Sequence, residues 1–157
     1  MTIEDPERAQ TLTRLLMDQP GSEKEDPIQW GWTLPGWRRV MERFDKDKIH
    51  VIMGGNRSSK TFFANRMLVH LAQTIPEAEI RSMHVSEERS ISDAQRYIWQ
   101  NLPARYKRTK KKSANHSLQY NQKNGFNAGK AIFPPTDPNA ERGSTIFFNN
   151  YRQFMAD

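Results

Sequence analysis

Lys60 and Thr61 close the run Gly54-Gly55-Asn56-Arg57-Ser58-Ser59-Lys60-Thr61, whose residue types suit a phosphate chain. The pattern for such a loop, Walker A, is G-x-x-x-x-G-K-[ST]; Gly54, Lys60 and Thr61 fall on register, and Ser59 takes the place of the second glycine. The backbone N–H groups of the loop must converge on phosphate oxygens, and Gly54 and Gly55 permit the tight path this needs. Lys60 would reach the β- and γ-phosphates as a point charge. Thr61 would ligate Mg²⁺ through its hydroxyl, at the positive end of the following helix. A Cβ at Ser59 crowds the nucleotide unless its dihedrals are those of an ordinary first helical turn. The competing reading is a Gly-Asn turn followed by a Ser-capped helix.

Such a loop needs a strand before it and a helix after it. Ile49 to Met53 reads as the strand, and Lys60 to Gln73 as a helix whose broad apolar face holds Phe63, Met67, Leu68, Val69 and Leu71. Ile75-Pro76 stops that helix, and Glu79 to Ser86 alternates as a second strand. Ser90 or Ser92 would cap a helix running through Ala94, Ile98 and Leu102. Short β-like runs follow at Ser117–Asn121, Ala131–Phe133 and Thr145–Phe148, separated by Asn-Gly, Pro-Pro and Arg-Gly turns. The order β-α-β-α-β predicts an α/β, P-loop NTPase-like fold, with a mostly parallel sheet flanked by helices and incomplete at its C-terminal end. Upstream, Pro6 to Asp18 carries Leu12, Leu15 and Leu16 at helical spacing, and 20–27 is rich in breakers and charges. Residues 1–27 therefore read as a helical appendage and linker, and 28–157 as a partial ATPase domain. A short amphipathic helix runs through Val40, Met41 and Phe44.

The chain of 157 residues can bury a core and contains no cysteine, which excludes disulfides and thiolate metal sites. No apolar run approaches the roughly 20 residues of a membrane span, and the acidic N-terminus is unlike a secretory signal, so a soluble intracellular protein is expected. The net charge of +6 favours polyanionic partners. Acidic residues gather in 4–26, whereas Arg105, Lys107, Arg108, Lys110, Lys111 and Lys112 concentrate positive charge that could meet DNA phosphates or form a solvated loop. His50, His70, His84 and His116 lack ligand spacing.

The loop, the lead-in Trp37 to His50 and the segment Glu141 to Tyr151 together resemble the ATPase part of the large terminase subunit of tailed bacteriophages. An arginine inside the phosphate loop, here Arg57, is typical of those motors. The resemblance implies an ATP- and Mg²⁺-dependent motor that drives double-stranded DNA into a procapsid in the host cell cytoplasm. The small terminase subunit and the portal protein would be its partners, and a homo-oligomeric ring its working form. By the same resemblance Gly54, Gly55, Asn56, Arg57, Ser58, Ser59, Lys60 and Thr61 bind nucleotide, Thr61 binds the metal and Arg57 senses the γ-phosphate. Gln29 contacts adenine. Arg142, with Arg152 behind it, is the candidate for an arginine finger lent to a neighbouring subunit.

The pattern also departs from that family. Its Walker B strand is an apolar run ending in Asp-Glu, and the only late apolar strand, Thr145 to Phe148, ends in Asn149-Asn150. The chain is therefore expected to be an N-terminal fragment that binds nucleotide without its catalytic carboxylate. The alternative is a basic DNA- or protein-binding module with a degenerate P-loop.

Overall fold

A computed structural model describes residues 21–44, 46, 49–107, 118–135 and 141–151. The expected helix over 6–18, the cations Arg108 to Lys112, His116 and Arg152 lie outside these residues. The chain forms α1 (Pro27–Trp30), α2 (Pro35–Arg43), α3 (Lys60–Thr74), β1 (Glu79–His84), α4 (Glu87–Arg89) and α5 (Arg96–Asn101), then β2 (Tyr120–Asn121), β3 (Gly125–Phe126), β4 (Lys130–Ile132) and β5 (Thr145–Asn150). No described helix is long and apolar enough to cross a membrane.

The result is a small mixed α/β domain. Its main sheet has the order β1-β5-β4, with β1 parallel to β5 and β4 antiparallel to it, and β2-β3 forms a separate hairpin. The sheet is thus mixed, where a mostly parallel one was expected. The β1–β5 register runs from Glu79 opposite Thr145 to His84 opposite Asn150. It sets Ile80, Ser82 and His84 on the same face as Ile146, Phe148 and Asn150. Onto that face pack Val69 and Ala72 of α3 and Ile98 of α5, in one core with Leu102, Tyr106, Leu118, Phe126 and Phe133. Phe126 stacks on Phe148 at 5.7 Å.

Residues 49–53 correct the sequence reading. They form no strand and pair with none of the described strands. Ile49, Val51 and Met53 are 82 %, 78 % and 86 % exposed. Their alternation is that of a strand, but a ladder needs a neighbour, and neither described sheet supplies one here.

Local chemistry explains the other boundaries. Ser86, not Ser90 or Ser92, caps the helical stretch, accepting from the Arg89 N–H at 3.3 Å. Between α4 and α5 the helix widens into a π-helical turn over Ser90–Gln95. There the buried Gln95 donates to Ser90 Oγ at 3.0 Å and accepts from the Phe126 N–H at 2.7 Å, tying the hairpin to the helix. Gly125, at φ +69°, leaves the space that the Gln95 amide fills. Residues 21–26, read as linker, are held in the domain: Asp26 caps α1 and pairs with Arg105 at 3.2 Å, and the Ala104 N–H donates to the Glu25 carbonyl.

Gly143 lies against the backbone of Phe133, and a Cβ there would overlap the Phe133 carbonyl oxygen. Because a backbone oxygen cannot swing away, Gly143→Ala is expected to lower stability by about 2 kcal/mol or more. Urea unfolding measures it. A change within about 0.5 kcal/mol would contradict the packing described for the turn into β5.

Candidate phosphate-binding site

The loop ends at α3, and its shape comes from three residues. Arg57 and Ser59 both have left-handed backbone conformations, at φ 63° and 62°. Lys60, half-buried, folds back over the loop, and its Nζ donates to the carbonyls of Gly54 at 2.5 Å and Gly55 at 2.6 Å and to Ser58 Oγ at 3.1 Å. The ammonium therefore closes the loop on itself and stands inside its ring. A Cβ on Gly54 would approach Ser58 Oγ to 2.9 Å, whereas Gly55 faces open space. A turn of the Ser58 side chain would relieve that contact, so the constraint at 54 is mild and none acts at 55.

Ser59 departs from the expected dihedrals. It is the residue before the helix, it is left-handed rather than helical, and its side chain makes no cap hydrogen bond. That overturns both the ordinary-helical expectation and the Ser-capped alternative. A Cβ at such a conformation costs about 1 kcal/mol. Ser59→Gly is accordingly expected to raise stability by about 1 kcal/mol, read as a shift of the denaturant midpoint at constant slope. An unchanged midpoint would mean that the left-handed turn carries no strain.

Thr61 is exposed, and its carbonyl accepts from Asn65 Nδ2 at 2.7 Å. Asn56 and Arg57 are exposed beside it. Among the described residues no cluster of three His, Asp or Glu side chains could hold a metal ion. The donor set near the loop is a hydroxyl, so Mg²⁺ fits here only together with phosphate oxygens that complete its shell.

Gln29 and Arg142 are not brought to the loop. Gln29 is exposed on α1, its N–H bonded to Asp26 Oδ1 at 3.1 Å. Arg142 is exposed just before β5. Ser144 Oγ donates to the Ile75 carbonyl at 2.7 Å, placing that turn at the far end of α3 from Lys60. The helix spans 15 residues, about 22 Å. Arg142 cannot serve the loop of its own chain.

Beside the loop is a feature that the motif did not announce. Trp32, Thr33, Leu34, Trp37, Ser59, Phe62, Phe63 and Arg66 line a cavity of about 110 Å³. Trp37 stacks on Phe63 at 4.6 Å. Arg66 is 3 % exposed. Its two terminal nitrogens donate to the carbonyls of Ile28 at 3.0 Å, Gly31 at 3.0 Å and Trp32 at 3.2 Å, while its Nε–H has no partner. Burial lowers its pKa, opposed by Glu23 and Asp26. The sequence held one sign of this: Arg66 follows Phe63 by three residues, inside the buried stripe of α3.

No family model matches the chain, and neither a curated protein nor a solved structure shows significant similarity to it. The site therefore stands on its geometry. At the carboxyl end of the parallel pair, Ser82 Oγ meets His84 Nε2 at 2.8 Å, and Asn149 has a buried Oδ1 without a partner. Burial lowers the His84 pKa, partly offset by Asp93. A group depressed in this way gives stability above its unfolded value of about 6.5 and loses it as pH falls below. The melting temperature is expected to fall between pH 7.5 and pH 5.5, and His84→Gln to flatten that dependence. An equally steep profile in the variant would place the titration elsewhere.

The basic cluster is partly committed to structure. Arg105 bonds Gln73 Oε1 at 3.0 Å besides Asp26, and lies 4.9 Å from the Tyr106 ring centroid. Lys107 lies 5.7 Å from the Trp99 ring centroid, and burial lowers its pKa.

Proposed function

We propose that residues 54–61 bind the phosphate chain of ATP, as part of a P-loop NTPase-like motor of the terminase type. The observation that carries this is the Lys60 ammonium bonded to the Gly54 and Gly55 carbonyls. That arrangement fixes a cation and a turn of left-handed backbone at the N-terminus of a 15-residue helix. All three features favour an anion of phosphate size. Lys60 neutralises charge on the β- and γ-phosphates. The exposed Arg57 reaches the terminal phosphate, and the Thr61 hydroxyl joins Mg²⁺ that enters with the nucleotide. In the wider reading the free energy of hydrolysis moves double-stranded DNA into a procapsid, within a ring that contacts a small terminase subunit and a portal protein in the host cytoplasm. Arg142 acts there only on a neighbouring subunit, because its own loop lies a helix length away.

Hydrolysis needs a base to orient water, and β5 ends in the amides Asn149 and Asn150. Residues 1–157 are therefore expected to bind ATP with negligible turnover. Titration with Mg·ATP alongside a phosphate-release assay tests this. Saturable binding without release is the expected result. Robust turnover lost in Lys60→Ala would overturn the missing-base argument, and no binding at millimolar ATP would overturn the site.

A further inference from the structure

We infer that the groove between the β2–β3 hairpin and α5 binds single-stranded nucleic acid, with an unpaired base among Trp99, Gln119, Tyr120, Asn124 and Asn127 and its phosphate on Lys107. The groove shares no residue with the phosphate loop, so it stands or falls apart from that reading. Its volume of about 560 Å³ lies within the roughly 300–1,000 Å³ of small-molecule sites. None of its seven lining residues carries a charge, and four are carboxamides, Gln119, Asn121, Asn124 and Asn127. Asn121 Oδ1 accepts from the Lys123 N–H at 2.8 Å, whereas the side-chain amides of Gln119, Asn124 and Asn127 are exposed and have no hydrogen-bond partner among the described residues. A carboxamide sets a donor beside an acceptor in one plane, which is the pattern along the edge of a base. In a duplex the Watson–Crick edge is already paired; in a single strand it is open.

The wall behind these amides is built in advance. Trp99 and Tyr120 stack at 5.9 Å, and the Tyr120 hydroxyl donates to the Ile91 carbonyl at 3.2 Å. Gln95, bonded to the Phe126 N–H, holds the hairpin against them. A base can lie against such rings whatever its identity. Sugar hydroxyls would suit the amides as well, and Lys107 separates the two ligands. It is half-buried, with its Nζ 5.7 Å from the Trp99 ring centroid and 3.5 Å from the Gln100 carbonyl. Neither contact neutralises the ammonium, and burial lowers its pKa with no described carboxylate opposing it. A phosphate beside the groove supplies the missing charge, in a chain whose net charge of +6 favours polyanions.

The test follows, by fluorescence anisotropy, a labelled DNA strand of about 15 nucleotides and the same sequence as a duplex. The strand is expected to bind at least about tenfold more tightly than the duplex. Gln119→Ala combined with Asn127→Ala, both at exposed positions outside the core, is expected to weaken strand binding about tenfold. Lys107→Gln is expected to lower the salt slope of strand binding by about 0.7. No strand binding, equal affinity for strand and duplex, or an unchanged affinity in the amide variant overturns the inference. An unchanged salt slope overturns the phosphate contact on which the choice of nucleic acid rests. Displacement of the strand by a neutral oligosaccharide such as maltohexaose, or by AMP at equal nucleotide concentration, overturns it too, giving the groove to sugars or to free nucleotides.

Discussion

Replacing Lys60 by alanine is expected to weaken nucleotide binding about 100-fold, close to 3 kcal/mol, without unfolding the protein. The size follows from two losses. A charge-assisted hydrogen bond to phosphate contributes about 1.5–3 kcal/mol. The same ammonium also closes the loop through the Gly54 and Gly55 carbonyls and Ser58 Oγ, so its removal opens that turn. Folding should survive, because residues 53–57 and Ser59 are exposed and outside the core. Calorimetric titration with Mg·ATP on both proteins measures the difference. Lys60→Arg is expected to recover little, since a planar guanidinium does not fit where a compact ammonium meets three acceptors. A variant that bound as tightly as the wild type would remove Lys60 from the phosphate site.

The largest effect on stability is expected at Arg66. Arg66→Ala leaves the carbonyls of Ile28, Gly31 and Trp32 without their donor and opens space within the wall formed by Phe63 and Trp37. Losing such buried charge-assisted bonds costs about 3–4 kcal/mol, which for a chain of this length lowers the melting temperature by about 10 °C. Arg66→Lys should recover only part, because one ammonium cannot span three carbonyls with the reach of a guanidinium fork. Thermal unfolding followed by circular dichroism distinguishes these outcomes. A loss below about 1 kcal/mol would show that the 28–32 segment is held by other contacts.

Much of the local structure was legible because it depends on neighbours in sequence. The helix over Lys60–Thr74 follows from its apolar face, and the strands at 79–84 and 145–150 from alternation and flanking turns. The turn that leads into that helix was legible as well, since residues 54–61 are a contiguous run, whereas the phosphate site placed on it stands as a proposal. What escaped depends on distant partners. Ile49 to Met53 has the alternation of a strand, but strand formation is a property of a pair, and none of the described strands pairs with it. The antiparallel β4 could not be told from a parallel strand, because direction is fixed by where the chain returns. Ser59 stands where the motif has its second glycine, and neither the ordinary helical dihedrals nor the cap that its residue type allows is formed, because its backbone is left-handed. The aromatic cavity joins residues 32–37 to residues 59–66, and no local pattern links those segments. Arg66 was the one visible clue, a charge within an apolar stripe.

The basic stretch carries a similar lesson. By composition Arg105 and Lys107 belong to a basic cluster that could meet DNA phosphates or form a solvated loop, but packing assigns Arg105 to Asp26, Gln73 and Tyr106 and sets Lys107 over Trp99. Charge runs report on partners only after the internal contacts have been subtracted. If the alternative module reading held, DNA affinity would show a steep salt slope and Lys60→Ala would leave it unchanged.

The central claim, that the backbone of residues 54–61 cradles a phosphate chain, is tested most directly by following individual amide resonances during titration with Mg·ATP. The account predicts that the N–H signals of Gly55 to Thr61 shift together and saturate, since these are the groups that would point at phosphate oxygens. Shifts confined to other elements, with Gly55 to Thr61 unmoved at saturating nucleotide, would contradict it.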